Sequence, residues 1–372
     1  MKLGIFYRDY NGKSGMPVEI QNLAVGLSKL GISTNAFCYG NANLEHQSNG
    51  VKVNQYLRPR FFLNLPRALV NDVINGDFDY FLVIGGHIKE NFQVCRMLGE
   101  INIKYMYCPG NPYNPVLMNK SPILKSVWKV CFELQNLNNS AIVRSYSQFN
   151  TQCIRSYGYK GEVVELYEGI DTADVMECST LEISQEGKSG KHFIYVGRID
   201  IFGKGLDQLL IAFSKFRARH TDYNLTVIGP FQSKTDESLF FKLAALSNGG
   251  VEYYPPVYGK QKFKFMRDAD LFIYPSRFEG IPRSIREALF VGTPVLVTQA
   301  TNFADNVVKY RAGLVCELTI ESIEAALGEF QSKPKDFFNG NPEKLIAEKY
   351  NWESVCLNYK SIIEAQLQNH LT

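Results

Sequence analysis

At 372 residues, 45% of them hydrophobic and with a formal net charge of only +3, the chain can fill two cores of ordinary domain size and lacks the basic density of a nucleic-acid binder. No apolar run reaches the roughly 18 uncharged residues that a membrane-spanning helix needs. The eight cysteines stand singly with no Cys-x-x-Cys pair, and the five histidines show no metal-ligand spacing, which points away from zinc and redox chemistry.

A first strand is predicted over Lys2–Tyr7, which leaves no charged region and apolar stretch for a signal peptide, so a cytoplasmic protein is expected. The following loop holds Gly12 and Gly15 before Pro17 opens a helix. It reads either as a loop whose bare backbone lets a ligand approach or as a plain flexible turn. Further strands are predicted over Ser33–Tyr39, Tyr80–Ile84, Lys104–Cys108, Ala141–Ser145 and Glu162–Leu166. Residues 56–67 and 120–129 mix cations with large apolar groups, as a contact with an anionic membrane surface would, or as a solvated basic loop and a core-facing helix would.

Residues 176–191, rich in Ser, Glu, Gly and Lys, read as an exposed linker between a first domain, 1–175, and a second, 192–349. The second set of predicted strands is His192–Val196, Leu225–Ile228, Val251–Tyr254, Leu271–Tyr274 and Pro294–Thr298. Strands alternate with helix-length amphipathic runs throughout, so an α/β fold of two doubly wound, Rossmann-like domains facing across a cleft is expected.

Two constellations fall at strand ends of the second set. After Val196 comes Gly197-Arg198, then Gly203-Lys204-Gly205 before a helix. Arg198 offers a planar fork for phosphate oxygens and Lys204 a compact second charge, which together would neutralise a diphosphate. After Tyr274, the segment from Glu279 through Gly280, Ile281, Pro282 and Arg283 to Glu287 reads as a tight turn and a helix opened by Pro282. Glu279 would stand at the helix mouth, with Glu287 positioned for a second polar group of the same ligand. Asp268-Ala269-Asp270, one residue before a predicted strand, reads as helix-end capping or surface solvation rather than a metal site.

Val-Gly-Arg, Lys-Gly-Leu-Asp, Asp-Leu-Phe-Ile-Tyr-Pro-Ser-Arg-Phe-Glu-Gly and Glu-x7-Glu, in this order, resemble the retaining nucleotide-sugar glycosyltransferases of family four, which have the GT-B fold. Arg144–Ser147, Tyr167–Asp171 and Tyr350–Glu353 extend the resemblance over nearly the whole chain. It implies that Arg198 and Lys204 hold the donor diphosphate, that Glu287 holds the ribose hydroxyls, and that Glu279 faces the donor sugar. Gly280, Ile281, Pro282 and Arg283 would form the donor-contacting turn, and Gly15 the glycine-rich loop, although Lys13-Ser14 replaces the family's paired glycines. It also implies that residues 350–372 pack back on the first domain, that no metal or cofactor is needed, and that the partners are a nucleotide sugar and a glycan or lipid-linked acceptor.

One departure concerns acceptor activation. Family members often carry a histidine where this chain reads Tyr107-Cys108-Pro109-Gly110-Asn111. Asn111, or His87 at another strand end, is the available substitute. Two other readings stay open: a hydrolysing sugar-nucleotide epimerase of the same fold, and a nucleotide-sugar binder without catalysis.

Overall fold

The computed structural model describes residues 1–12, 15–58, 65–119, 121–170, 191–334 and 336–368. The chain divides into two units, Met1–Gly169 with Asn351–Thr372 and Ile170–Tyr350. The linker expected at 176–191 lies outside the described residues except for Lys191.

In the first unit, β1 (Lys2–Phe6), β2 (Ser33–Gly40), β3 (Leu44–Ser48), β4 (Val51–Leu57), β5 (Tyr80–Ile84), β6 (Tyr105–Cys108), β7 (Ile142–Ser145) and β8 (Val163–Glu165) form one sheet in the order β3-β4-β2-β1-β5-β6-β7-β8. Every pairing is parallel except β3 with β4. Apolar clusters bury both faces of this sheet, one built on Leu3, Ile5 and Leu82, the other on Phe6, Phe37 and Phe81. The helix Trp352–Gln368 packs on the first of these clusters through Val355, Tyr359 and Ile363. Arg144 of β7 reaches the same helix, donating to the Tyr359 hydroxyl at 2.8 Å.

The strands expected from the sequence do not include β3, β4 or a strand of the second unit at Gly313–Cys316. β3 is a polar, exposed edge strand, so its side chains carry no apolar alternation. Its sequence signal is the turn Asn49-Gly50, both residues at positive φ, which joins Ser48 to Val51 as a tight hairpin.

In the second unit, β9 (His192–Val196), β10 (Asn224–Ile228), β11 (Val251–Tyr254), β12 (Leu271–Tyr274), β13 (Val295–Thr298) and β14 (Gly313–Cys316) form an all-parallel sheet ordered β11-β10-β9-β12-β13-β14. The chain runs outward from β9 through β10 and β11, then returns to start again at β12. The carboxyl ends of β9 and β12 therefore flank the point where strand order reverses, the place where open α/β sheets bind ligands. The first sheet has the same reversal between β1 and β5.

Candidate functional site

The loop after β9 is shaped by close backbone approach. Gly229, with φ +151°, has no room for a Cβ, which would lie 1.9 Å from the Gly197 carbonyl oxygen. Asp200 then folds the chain back: the Gly203 N–H donates to its Oδ1 at 2.8 Å and the Lys204 N–H to its carbonyl oxygen at 2.9 Å. Gly205, at φ +68°, starts the helix Leu206–Arg217 against the loop after β12, where a Cβ would lie 1.9 Å from the Pro275 carbonyl oxygen. Arg277 ties the two loops together. Its guanidinium donates twice to Asp207, at 2.7 and 2.7 Å, and lies over the Phe202 ring at 4.1 Å, while its N–H donates to the Gly203 carbonyl at 3.0 Å.

This arrangement brings Lys204 onto Glu279. The ammonium donates to Glu279 Oε1, and the two side chains are only 11% and 14% exposed. The Ser276 hydroxyl lies 3.1 Å from the same oxygen. Lys204 Nζ also stands 5.7 Å from the centre of the Tyr274 ring, which stacks on Tyr195 at 5.3 Å. Burial, with Tyr195 and Glu279 adding to it, raises the Tyr274 hydroxyl well above its ordinary value, so it stays a neutral donor.

The turn Gly280-Ile281-Pro282 leads into the helix Arg283–Phe290, with Pro282 at the N-cap and no side chain capping the helix. Its first N–H groups are thus left to other acceptors. Asn302, itself at φ +63°, holds the turn by donating from Nδ2 to the carbonyl oxygens of Glu279 at 3.0 Å and Gly280 at 2.7 Å. Glu287, one turn further in, is 2% exposed. Its Oε1 accepts from Lys262 Nζ at 2.8 Å and pairs with Arg283 Nε at 3.1 Å.

Arg198 is exposed beside this cluster, its carbonyl accepting from the Tyr195 hydroxyl at 2.8 Å. Thus Arg198, Lys204, Glu279, Gly280 and the helix mouth share the carboxyl edge of β9 and β12, and Glu287 sits deeper with a cation of its own. Asp268 and Asp270 do separate local work: Asp268 pairs with Lys264 at 2.5 Å, and Asp270 accepts from the His192 N–H at 2.8 Å.

Three candidates belong to the first unit. Gly15 is exposed at φ +66°, with open space where a Cβ would go, and caps the helix Met16–Lys29. Asn111 is buried and accepts at Oδ1 from Asn150 Nδ2 at 3.0 Å. His87, at φ +57°, turns inward, with Nε2 3.0 Å from the Tyr157 hydroxyl and its N–H donating to the buried Glu133 at 3.1 Å. Burial, with Lys125 nearby, lowers its pKa to about 4, so the ring is neutral.

Lys262, Ser276, Tyr274, Asn302 and the Asp207–Arg277 pair escaped the reading of the sequence. Lys262 is one of three lysines at alternate positions 260, 262 and 264, and nothing local distinguishes it. Arg277 and Asp207 each sit in a segment singled out for other residues.

Two Rossmann-like sheets, with charged groups gathered where strand order reverses, define the GT-B class of α/β proteins. Residues 180–352 match the family model of the glycosyl transferases group 1, so the chain carries a glycosyltransferase group 1 domain. It is 23% identical over 176 residues to an uncharacterized glycosyltransferase of Haemophilus influenzae, covering 46% of this chain and 49% of that protein. It is also 25% identical over 181 residues to a capsular polysaccharide biosynthesis glycosyltransferase of Staphylococcus aureus, covering 46% of each. The matched region thus spans about half the length of these relatives. Among solved structures, a sucrose-phosphate synthase from Thermosynechococcus elongatus superposes with a TM-score of 0.72 at 14% identity, over 99% of both chains. The E. coli trehalose-6-phosphate structure bound with UDP-2-fluoro glucose gives 0.69 at 11% identity, over 98% of this chain and 99% of that one. These likenesses establish the fold alone.

Proposed function

We propose that this chain is a retaining, metal-independent glycosyltransferase of family four, moving a sugar from a nucleoside diphosphate sugar to a hydroxyl of a glycan or lipid-linked glycan. The observation that carries this reading is the Lys204–Glu279 pair at the carboxyl edge of β9 and β12, with Arg198 exposed beside it. Breaking the sugar–phosphate bond leaves negative charge on the diphosphate, and fixed cations and helix N–H groups are what stabilise it. Arg198 and Lys204 supply the cations. Lys204 gives one of its three donors to Glu279 and keeps the others for phosphate oxygens.

Glu279 then acts by orienting the donor sugar and Lys204, and Glu287 by accepting from the ribose hydroxyls. The acceptor's proton passes to the departing phosphate, which keeps attack on the same face of the sugar. The named role of the Staphylococcus relative favours a cell-surface polysaccharide as product. Ile123, Leu124, Val127 and Val130, more than half exposed, line one face of the helix Pro122–Trp128 and the turn after it, which suits peripheral contact with a bilayer.

The test is to incubate the purified chain with UDP-, GDP- and other nucleotide sugars, with and without EDTA, and to identify products. Release of nucleotide with transfer or hydrolysis at retained configuration, unchanged by EDTA, supports the reading. A free 2-epimer as product would replace it with epimerase chemistry, and binding without turnover would replace it with a silent binder.

A further inference from the structure

Two tyrosines end the neighbouring strands whose loops carry Arg198, Lys204 and Glu279. Tyr195, next to last in β9, and Tyr274, last in β12, stack with ring centres 5.3 Å apart and planes 14° from parallel. Both are buried, at 0% and 4% exposure. Phe272 extends the stack beside Tyr274, at 6.0 Å and 8°. Filling this core would need only phenylalanine, which the same strands already supply in Phe193 and Phe272. A tyrosine adds a hydroxyl that is costly to bury unless it finds a partner.

Each ring meets one of the two segments that hold the cations. The Tyr195 hydroxyl donates to the Arg198 carbonyl oxygen at 2.8 Å. Burial, with Glu279 and Asp200 adding to it, raises that hydroxyl well above its ordinary value, so it stays a neutral donor. Lys204 Nζ stands 5.7 Å from the centre of the Tyr274 ring, within the range at which an aromatic face attracts an ammonium. Gly197, just before Arg198, lies against both rings: a Cβ there would stand 2.9 Å from the Tyr195 hydroxyl oxygen and 3.3 Å from Tyr274 Cε2. The chain that leads into Arg198 therefore takes its position from the stack. Arginine and lysine are long, rotamer-rich side chains, and a site holds them in place only when packed, hydrogen-bonded neighbours support them. Two stacked rings in the core are a stiff support of that kind.

We propose that Tyr195 and Tyr274 are positioning residues for a diphosphate. Tyr195 fixes the backbone of Arg198, Tyr274 holds the Lys204 ammonium against its face, and the stack between them sets the spacing of the two cations. The proposal rests on the reading of Arg198 and Lys204 as the diphosphate-binding cations of a glycosyltransferase.

Saturation-transfer NMR on the full chain tests it, with UDP, GDP, ADP, CDP and dTDP each titrated beside its own nucleoside. The variants are Tyr195→Phe, Tyr274→Leu and Tyr274→Phe. The readout is the ratio of diphosphate to nucleoside affinity, because a loss of folded protein weakens both ligands alike and leaves the ratio unmoved. Tyr195→Phe removes one hydroxyl and keeps the ring, and the ratio should fall about fivefold. Tyr274→Leu removes the aromatic face and should lower the ratio by a similar factor, whereas Tyr274→Phe keeps the face and should restore most of it. Tyr195→Phe carries the test if Tyr274→Leu fails to fold. The inference is overturned if the ratio keeps its wild-type value in Tyr195→Phe or in folded Tyr274→Leu, or if Tyr274→Phe lowers it as far as Tyr274→Leu. Diphosphate binding and sugar transfer by the wild-type chain, with those outcomes, would leave the glycosyltransferase reading standing. Ratios that fall as expected in a chain that turns over no nucleotide sugar would leave the tyrosine roles standing and remove the reading. A wild-type chain that binds none of the diphosphates removes both.

Discussion

Lys204 and Glu279, 75 residues apart, form an ion pair between the loops that follow two neighbouring strands of the second sheet. Each was expected to meet a different part of the donor, the lysine its diphosphate and the glutamate its sugar. Paired, they hold each other in place before any ligand arrives, and such preorganisation is where electrostatic catalysis obtains most of its effect.

Lys204→Ala is expected to lower the rate of donor turnover by about 100- to 1000-fold, and Glu279→Gln by a similar factor, because each loss frees the other side chain. The double variant should cost far less than the product of the two. Steady-state rates for the four proteins close the cycle, and strictly multiplicative losses would show that the pair does not work as a unit.

Lys262→Ala leaves the buried Glu287 with Arg283 as its remaining described cation. Nucleotide affinity should weaken about tenfold, and the melting temperature should fall, since unpairing a buried carboxylate costs on the order of 3 kcal/mol. Glu287→Gln combined with Lys262→Met should recover the stability but not the affinity. Isothermal titration and thermal unfolding separate the two effects.

Gly205→Ala places a methyl where the Pro275 carbonyl oxygen already stands and demands φ +68° of a residue that resists it. The change should cost roughly 1–3 kcal/mol and displace Lys204 from Glu279. Turnover should fall more steeply than global stability, as read by activity assays at a temperature where the variant remains folded.

Burial lowers His87 to about 4 from its ordinary 6.5, so the unfolded chain takes up this proton first. The stability it contributes is complete above about pH 6.5 and is lost as pH falls from 6.5 towards 4. Denaturant midpoints compared at about pH 7 and about pH 5 should drop on acidification, and drop less in His87→Asn, since asparagine tolerates the positive φ. His192, also lowered by burial, keeps the slope from vanishing.

Leu124→Asp with Val127→Asp alters two exposed side chains. The melting temperature should hold, because exposed substitutions rarely exceed about 0.5 kcal/mol. Co-sedimentation with anionic lipid vesicles should fall severalfold; unchanged sedimentation would remove the membrane contact.

The sequence by itself determined the α/β class, the strands with apolar runs, the loops in which Arg198, Lys204 and Glu279 lie, and the helix that carries Glu287. Those features are local: a run of buried residues, a glycine before a helix, a proline at its start. The strand β3 was written locally too, in Asn49-Gly50, and went unread because its side chains face solvent on an edge. Tertiary structure alone decided which charges meet. Lys204 reaches Glu279 only because β9 and β12 are neighbours although two strands separate them along the chain, and Lys262 reaches Glu287 across 25 residues by helix packing. Ion pairing depends on distances of a few ångströms between side chains, and periodicity along a chain carries no information about which strand will lie beside which.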